Sequence, residues 1–434
     1  MTHVAADIGA TIAPLRVAIV THVVDRNDGQ GRVNHEIVAA ALAAGCEVTL
    51  VASRVAEQWR AHPRVTWQRI PEARLPGALL RYQVFALASG WWLARRRARF
   101  DVVHVNGFIT WARGDINTAH FVHHGWFHSG YYPYRARDGW YAAYQWLYTR
   151  LNARLERRAF RRARTVVAVS PRIADELRAT GVAPAAIEVI ANGVDTDEFA
   201  PGRNCRARFR LPQGVPLLLF AGDLRTPRKN LDTVLAALAQ VPEPVALAVA
   251  GHVGDSPYPE LARQLGVAQR VHFLGHVADM ATLMRSCDAL VFPSRYEPMG
   301  LVVLEAMASG MAVFTASTTG AGGLVPPGAG VVIDDPDDAA ALAGAIRAHT
   351  ADPDALRRMG ALGRAAMLTQ GWAAMGARYV ALYRRLGAQA RGHPDDSGPE
   401  LMVGERSQHR TRGTPGASGT ASAPRAAAPT NHPA

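Results

Sequence analysis

LRVAIVTHVVDRNDGQGRVNHEIVAAALAAGCEVTLVAS, residues 15–53, sets the fold class. Its first ten residues are a short, β-rich apolar run and predict a buried strand. The polar loop DRNDGQGRVN follows and carries Gly29 and Gly31. HEIVAAALAAG then has helical periodicity and stops at Gly45, and EVTLVAS predicts the next strand. Strand, glycine loop, helix and strand form one βαβ unit, the repeating piece of a doubly wound parallel sheet.

Outward from that unit the pattern recurs. DVVHVNG (101–107), INTAHFVHH (116–124) and TVVAVS (165–170) predict further strands, the last followed by the helix PRIADELRATG. After the connector ANGVDTDEFAPG (191–202) a second series begins. PLLLFAGDL, VALAVAG, VHFLGHV, ALVFPS and MAVFTAS predict strands. KNLDTVLAALAQ, YPELARQLG, MATLMRSC, LVVLEAMASG and DDAAALAGAIRAHT predict the helices between and after them. Two βα series of similar size imply an α/β protein with two Rossmann-like domains, residues 1–195 and 196–371. A helical stretch at 372–387, WAAMGARYVALYRRLG, closes the folded part. From 388 to 434 the chain turns to Gly, Pro, Ser and Ala with scattered charge, the composition of a disordered tail.

Composition agrees with a folded protein. Of 434 residues 49% are hydrophobic and 19% charged, which excludes wholesale disorder. Cys46, Cys205 and Cys287 lie far apart without metal-ligand spacing and read as thiols in a reducing, cytoplasmic compartment. No charged, then apolar, then small-residue leader is expected at the start. The apolar run from Leu75 to Leu93 is interrupted by Arg81 and Gln83, so no spanning helix is expected. The net charge of +12 is uneven: residues 1–195 hold 25 Arg against 15 acidic residues, residues 196–387 hold 18 basic against 17. A basic first half suits an anionic partner, or simply a solvated Arg-rich surface. Eight of nine Trp precede residue 150, and the stretches 79–100 and 130–164 mix them with Tyr and Arg. That mixture suits a membrane interface, sugar stacking, or a core with Arg on its wet face.

Two segments carry the chemistry. In YEPMGLVVLEAMASG (296–310), Glu297 lies in the loop after a strand, Gly300 and Leu301 open a helix, and Glu305 sits about one turn inside. A helix N-terminus at the edge of a parallel sheet offers free N–H groups to a diphosphate, Gly300 permits close approach, and two carboxylates can accept from sugar hydroxyls. In FAGDLRTPRKNLD (220–232) a strand ends in a loop delivering Arg225, Arg228 and Lys229, cations placed to neutralise a departing diphosphate. Lys229 is the only lysine in the chain, as a site needing a compact ammonium would retain. Amphipathic surface glutamates and a solvated basic loop are the plainer readings of the same residues.

Taken together, ANGVDTDEFAPG, FAGDLRTPRKNL, VHFLGHV, EPMGLVVLEAMASG and TGAGGLVPPGAGVVI stand in the order and spacing of glycosyltransferase family four, and the chain resembles that retaining GT-B family from about Arg16 to Leu386. The resemblance implies two Rossmann-like domains facing a central cleft, a nucleotide-diphosphate-sugar donor, no cofactor and no metal. It places the donor ribose on Glu305, the transferred sugar on Glu297, phosphate on the backbone of Gly300 and Leu301, and diphosphate charge on Lys229 with an Arg. It also sets Gly29 and Gly31 close to donor phosphate or acceptor, and a histidine of HFVHHGW (120–126), best His123, near the sugar, with His120 and His124 as rivals. It further implies that the helix 372–387 crosses back to the first domain. One position departs: Asp223 stands where the family commonly has Arg, so Arg225 or Arg228 must supply that charge.

The acceptor would be a glycan or lipid-linked glycan, reached by a cytoplasmic enzyme peripheral on an anionic membrane. Other enzymes of this architecture are the alternatives. A sugar phosphorylase would need a pyridoxal lysine where only Lys229 exists; a nucleotide-sugar epimerase is the other. Outside enzymes, the basic half could bind nucleic acid or membrane, though no nucleic-acid module is recognisable.

Overall fold

Strands apolar on both faces must be covered on both faces, and the chain does this twice. The computed structural model describes residues 13–392 apart from 27, 73, 74, 76 and 255. Its first sheet has seven parallel strands in the order 65–69, 47–52, 16–20, 102–106, 116–119, 165–168, 187–189. The second has six, in the order 271–275, 246–250, 217–221, 289–292, 312–316, 330–333. In each, the first strand in sequence lies between two later ones, so the order reverses beside it. The crevice at such a reversal, at the carboxyl edge of the strands, is where this architecture places ligands. Strands 102–106, 116–119 and 165–168 of the first sheet and 217–221, 246–250, 289–292 and 312–316 of the second are buried throughout. The edge strands 65–69 and 187–189 are half-exposed and short, and their mixed polarity hid them in the sequence.

Three sequence expectations are corrected. Gly29 and Gly31 are not in a loop. They form the first turn of helix Gly29–Ala43, capped by Asp28, whose Oδ1 accepts from Gly31 N at 2.6 Å. A Cβ at Gly31 would meet Asp28 Cβ at 2.8 Å, so the cap itself demands glycine there. The strand predicted for 116–124 stops at Ala119, and His123 opens a short helix, His123–Phe127. The last helix does not end at 387. It runs from Trp372 to Arg391, and Arg391 donates to Ala13 O and Pro14 O at 2.8 Å and pairs with Asp101 at 2.6 Å. Residues 388–391 are thus helix rather than tail, while the remainder of the predicted tail lies outside the described residues, from 393.

That last helix packs on the first sheet, not the second. Met375, Tyr379, Leu382, Tyr383 and Leu386 recur at helical spacing and bury themselves with Val17, Ile19, Val38 and Leu42. Gly376 is needed there, because a Cβ would lie 2.5 Å from Ala40 Cβ. Beneath it His104 bonds Tyr383 Oη and Thr118 Oγ1, both at 2.7 Å, so the buried polar groups are paired. The sheets are further tied at the connector, where Arg364 donates to Thr196 O, Phe199 O and Ala308 O at 2.8 Å.

Candidate active site

The loop after strand 217–221 turns through Thr226, whose hydroxyl caps a 3₁₀ turn at Pro227–Lys229. Asn230 then adopts φ 67°, a left-handed conformation that asparagine tolerates, and starts helix Leu231–Ala239. Its buried amide donates to Pro293 O at 2.9 Å and Pro336 O at 2.7 Å. Lys229 is therefore held from behind by a side chain fixed to the neighbouring strand end. Its ammonium pairs with Glu297 Oε2 and lies 5.2 Å from the Phe292 ring centre. Arg228 donates to Tyr296 O at 2.9 Å and lies 3.4 Å from Glu297 Oε2. Burial by itself would raise the Glu297 pKa; the charges of Lys229 and Arg228 outweigh it and hold the carboxylate below its ordinary value.

Of the two candidate arginines, the geometry brings only Arg228 to this cluster. Arg225 is exposed and folds back on Asp223 in a two-point pair, Nε to Oδ1 at 2.9 Å and Nη2 to Oδ2 at 3.1 Å. The acid that departs from the family pattern thus consumes the neighbouring charge.

Gly300, at φ 87°, caps helix Leu301–Ala308, and a Cβ there would meet Thr319 Cγ2 at 2.9 Å. A Cβ at Gly300 would also lie 3.3 Å from Glu297 Cγ, so the start of that helix adjoins the Glu297 side chain. One turn on, Glu305 has no side-chain hydrogen-bond partner among the described residues. Burial, reinforced by the charge of Glu198 and opposed by Arg32, raises it from 4.5 to about 7. Arg32 comes from the first sheet's glycine helix and reaches Asp195 at 3.4 Å and Glu198 at 3.5 Å, with Trp372 beneath it at 5.7 Å. It brings the first lobe to Glu305, and nothing in its local sequence beyond following Gly31 announces that.

In the first lobe His123 is fixed by Glu156. The carboxylate accepts the His123 backbone N–H at 2.8 Å and meets Nδ1 at 2.7 Å, leaving Nε2 for another partner. No sequence signal joins residues 123 and 156, which only the fold brings together. His120 is instead buried, held neutral by burial at about 4, with Nε2 unpartnered. His124 meets His128 in a tilted ring pair with centres 4.2 Å apart. Among the described residues no three His, Cys, Asp or Glu converge as metal ligands would.

One further residue links the halves. Tyr296, fully buried, immediately precedes Glu297 and supplies the carbonyl that Arg228 contacts, and its hydroxyl donates to Val122 O at 3.0 Å and Glu176 Oε2 at 2.7 Å in the first lobe. Ser170 Oγ likewise donates to Pro298 O at 2.7 Å. The loop carrying Glu297 is therefore bonded to the lobe that carries His123.

Comparison with known proteins follows the same division. Residues 27–198 match the family described as Glycosyltransferase Family 4, and residues 203–366 match that described as Glycosyl transferases group 1. The D-inositol 3-phosphate glycosyltransferases of Mycobacterium tuberculosis and Mycobacterium bovis are 40% identical over 151 residues, 32% of this chain and 31% of theirs. The match thus spans about a third of the length of these curated relatives. Three solved structures share the fold over nearly their whole length. Sucrose-phosphate synthase from Thermosynechococcus elongatus has a TM-score of 0.72 at 24% identity over 86% of this chain and 100% of its own. WaaG, a glycosyltransferase involved in lipopolysaccharide biosynthesis, has 0.68 at 21% over 85% and 99%. Anabaena HepE in complex with UDP-glucose has 0.63 at 19% over 85% and 98%.

Proposed function

We propose, since the chain belongs to glycosyltransferase family four and has the GT-B fold, that it transfers a sugar from a nucleotide-diphosphate-sugar donor to a glycan or lipid-linked acceptor with retention of configuration. The observation that carries this is the convergence of Lys229, Arg228, Glu297 and the open N-terminus of helix Leu301–Ala308 on one strand edge. Two cations and a row of N–H groups suit a diphosphate leaving group. Binding of donor phosphate would draw Lys229 and Arg228 from Glu297, freeing its carboxylate for the transferred sugar. Glu305, without a partner of its own, suits the ribose hydroxyls. The HepE structure, which holds UDP-glucose, supports a uridine nucleotide as the first donor to try. No metal or other cofactor is needed for this arrangement, because the charge is supplied by side chains and helix.

A thermal-shift panel of UDP, GDP, ADP and their sugars tests the donor, since a ligand at a hundred times its dissociation constant stabilises by about 2.7 kcal/mol. Failure of all of them to shift the melting temperature would remove the donor site. The product anomer, read by NMR, tests retention, and an inverted product would refute it.

The acceptor side supports a lipid-linked substrate at a membrane surface. No helix among the described residues is long and apolar enough to cross a membrane. Leu80, Val84, Leu87 and Trp91 nevertheless form an exposed stripe on one face of helix Ala78–Ala94, Arg95 stacks over Trp91 at 3.8 Å, and Trp140 is 84% exposed nearby in sequence to the partly buried Tyr144, whose hydroxyl bonds Leu79 N. Apolar residues with interfacial Trp and a basic end fit an anionic leaflet. Vesicle flotation with anionic and neutral lipid, at low and high salt, tests it. Recovery unaffected by lipid charge, by salt and by Leu87→Asp would dispose of the reading.

A further inference from the structure

A concavity of about 550 Å³ lies in the first lobe, at the end of the sheet opposite the glycine helix start. Val103 is near the beginning of strand 102–106, Asp115 and Arg164 immediately precede strands 116–119 and 165–168, and Leu93 and Ala94 end helix Ala78–Ala94. The walls therefore come from the amino edge of the parallel strands. Ligands of the transfer reaction belong at the carboxyl edge of such sheets, so this hollow lies outside that site. Its volume falls within the roughly 300–1,000 Å³ typical of small-molecule sites.

Its lining is two-natured. Buried Leu93 and Val103 supply an apolar floor. Arg97, Arg113 and Arg164 supply three guanidinium groups. The carboxylate in the lining, Asp115, is buried and already engaged: it accepts from Arg97 Nη2 at 2.7 Å and from Val103 N at 2.8 Å. Arg164 gives Nη2 to Gln389 Oε1 at 2.7 Å and keeps its other donors. Arg113 is exposed and makes no hydrogen bond or ion pair among the described residues. It also borders an adjoining hollow that carries Arg158 and Arg162. Guanidinium forks match phosphate oxygens in pairs. Inorganic phosphate gains nothing from the apolar floor, whereas an anion joined to a hydrocarbon body uses both parts.

The helix supplies a direction. Leu80, Val84, Leu87 and Trp91 are spaced by four, three and four residues, and three further on stands Ala94, in the lining of the hollow. That spacing keeps to one helix face, and all five residues are exposed. Trp111, 42% exposed, stands beside the row, because a Cβ on Gly90 would lie 3.3 Å from Trp111 Cβ. The apolar row thus ends at the guanidinium hollow, as an acyl chain ends at its phosphate.

Resting on the membrane reading above, we propose that this hollow holds the phosphate headgroup of an anionic glycerophospholipid, its oxygens on Arg113 and Arg164 and its acyl chains along the row from Ala94 to Leu80. The lipid is an anchor and is not consumed in transfer. It adds a one-to-one, headgroup-selective contact to the diffuse attraction of basic residues for an anionic surface.

Calorimetric titration of the full chain tests this with monomeric dihexanoyl phosphatidylglycerol, kept below its critical micelle concentration, against dihexanoyl phosphatidylcholine and sn-glycerol 3-phosphate. Phosphatidylglycerol should bind one to one. Phosphatidylcholine, whose ammonium meets the arginines, and glycerol phosphate, which lacks the chains, should each bind at least about tenfold more weakly. Arg113→Ala and Arg164→Ala should each weaken the lipid by about tenfold, the loss of a charge-assisted hydrogen bond, and Ala94→Asp should weaken it further. Arg137→Ala removes the same charge from an exposed arginine outside the hollow and should change nothing. Arg113 and Ala94 are exposed, so their variants keep the test decisive even where Arg164→Ala disturbs the fold. No binding of phosphatidylglycerol, equal affinity for phosphatidylcholine, or affinity unmoved by Arg113→Ala and Ala94→Asp overturns the proposal. Glycerol phosphate binding as tightly as the lipid would make the ligand a free phosphate ester, and a loss in Arg137→Ala equal to that in Arg113→Ala would make the attraction diffuse; either result also overturns it. The membrane reading fails separately, when vesicle recovery ignores lipid charge, salt and Leu87→Asp, and the donor reading when no nucleotide shifts the melting temperature.

Discussion

Replacing Glu305 with Gln should stabilise the unliganded protein above neutral pH and weaken the nucleotide at the same time. The wild-type carboxyl is buried, meets Glu198 as a like charge and has only Arg32 as a distant counter-charge, so its pKa rises from 4.5 to about 7. Each unit of pKa is worth about 1.4 kcal/mol, so the displacement corresponds to roughly 3 kcal/mol. The sign follows from proton binding. Between about pH 4.5 and 7 the folded form holds this proton more tightly than the unfolded form. Raising pH through that window therefore removes stability, and the full cost applies above 7. Gln is the neutral isostere. The variant should melt with wild type near pH 4.5 and several degrees above it at pH 8. Ribose hydroxyls donating to the site favour the ionised acid. Wild-type nucleotide affinity should accordingly rise between pH 6 and 8, with proton release measurable by calorimetry in buffers of different ionisation enthalpy. In Glu305→Gln that pH dependence should vanish and affinity fall by about tenfold, the difference between a charge-assisted and a neutral hydrogen bond. Coincident melting curves for the two proteins from pH 5 to 9 would refute the reasoning, because the carboxyl would then carry no burial cost.

Lys229→Ala should abolish transfer while leaving the fold intact, a loss of roughly 3–4 kcal/mol of transition-state stabilisation; Lys229→Arg should recover only part, and near wild-type turnover in Lys229→Ala would unseat the diphosphate site. Tyr296→Phe removes the hydroxyl that bonds the Glu297 loop to Val122 and Glu176, so it should cost about 1–3 kcal/mol of stability; an unchanged melting temperature would mean the seam contributes nothing. Asp101→Asn should destabilise at neutral pH. Burial opposes the Asp101 charge, but hydrogen bonds from Arg391 and Arg16 outweigh it and hold the pKa far down. That stability is present above the unfolded value near 4 and lost as pH falls below it, so an Asn penalty that persists undiminished toward pH 2 would contradict the assignment.

Periodicity and loop composition were enough to read two parallel-sheet domains and the two loops that meet at the Lys229–Glu297 pair, because each of those signals is local. A buried strand is a run of apolar residues, and a phosphate loop keeps its glycine, lysine and helix start within a dozen positions. The helix start at Gly300 and Leu301 and the loop position of Lys229 were legible in this way. Segments of weak pattern were not: edge strands 65–69 and 187–189 are only half-buried, and the strand signal before His123 runs on past Ala119 because nothing local stops it. The fold also settled matters of direction. Asp223 and Arg225 are two residues apart, and whether that arginine faces a ligand or its own neighbour depends on side-chain geometry that composition does not encode. The partners that orient the cluster come from far along the chain. Glu156 holds His123, Val122 and Glu176 hold Tyr296, Arg32 approaches Glu305, and helix Trp372–Arg391 returns to cover the first sheet. Spacing in sequence says nothing about such pairs, since they exist only once the elements that carry them have packed together. The sequence by itself thus determined the sheets and their loops, through burial that each segment satisfies locally. Tertiary structure alone decided which polar groups face one another and which, like the Glu305 carboxyl, have no side-chain hydrogen-bond partner among the described residues.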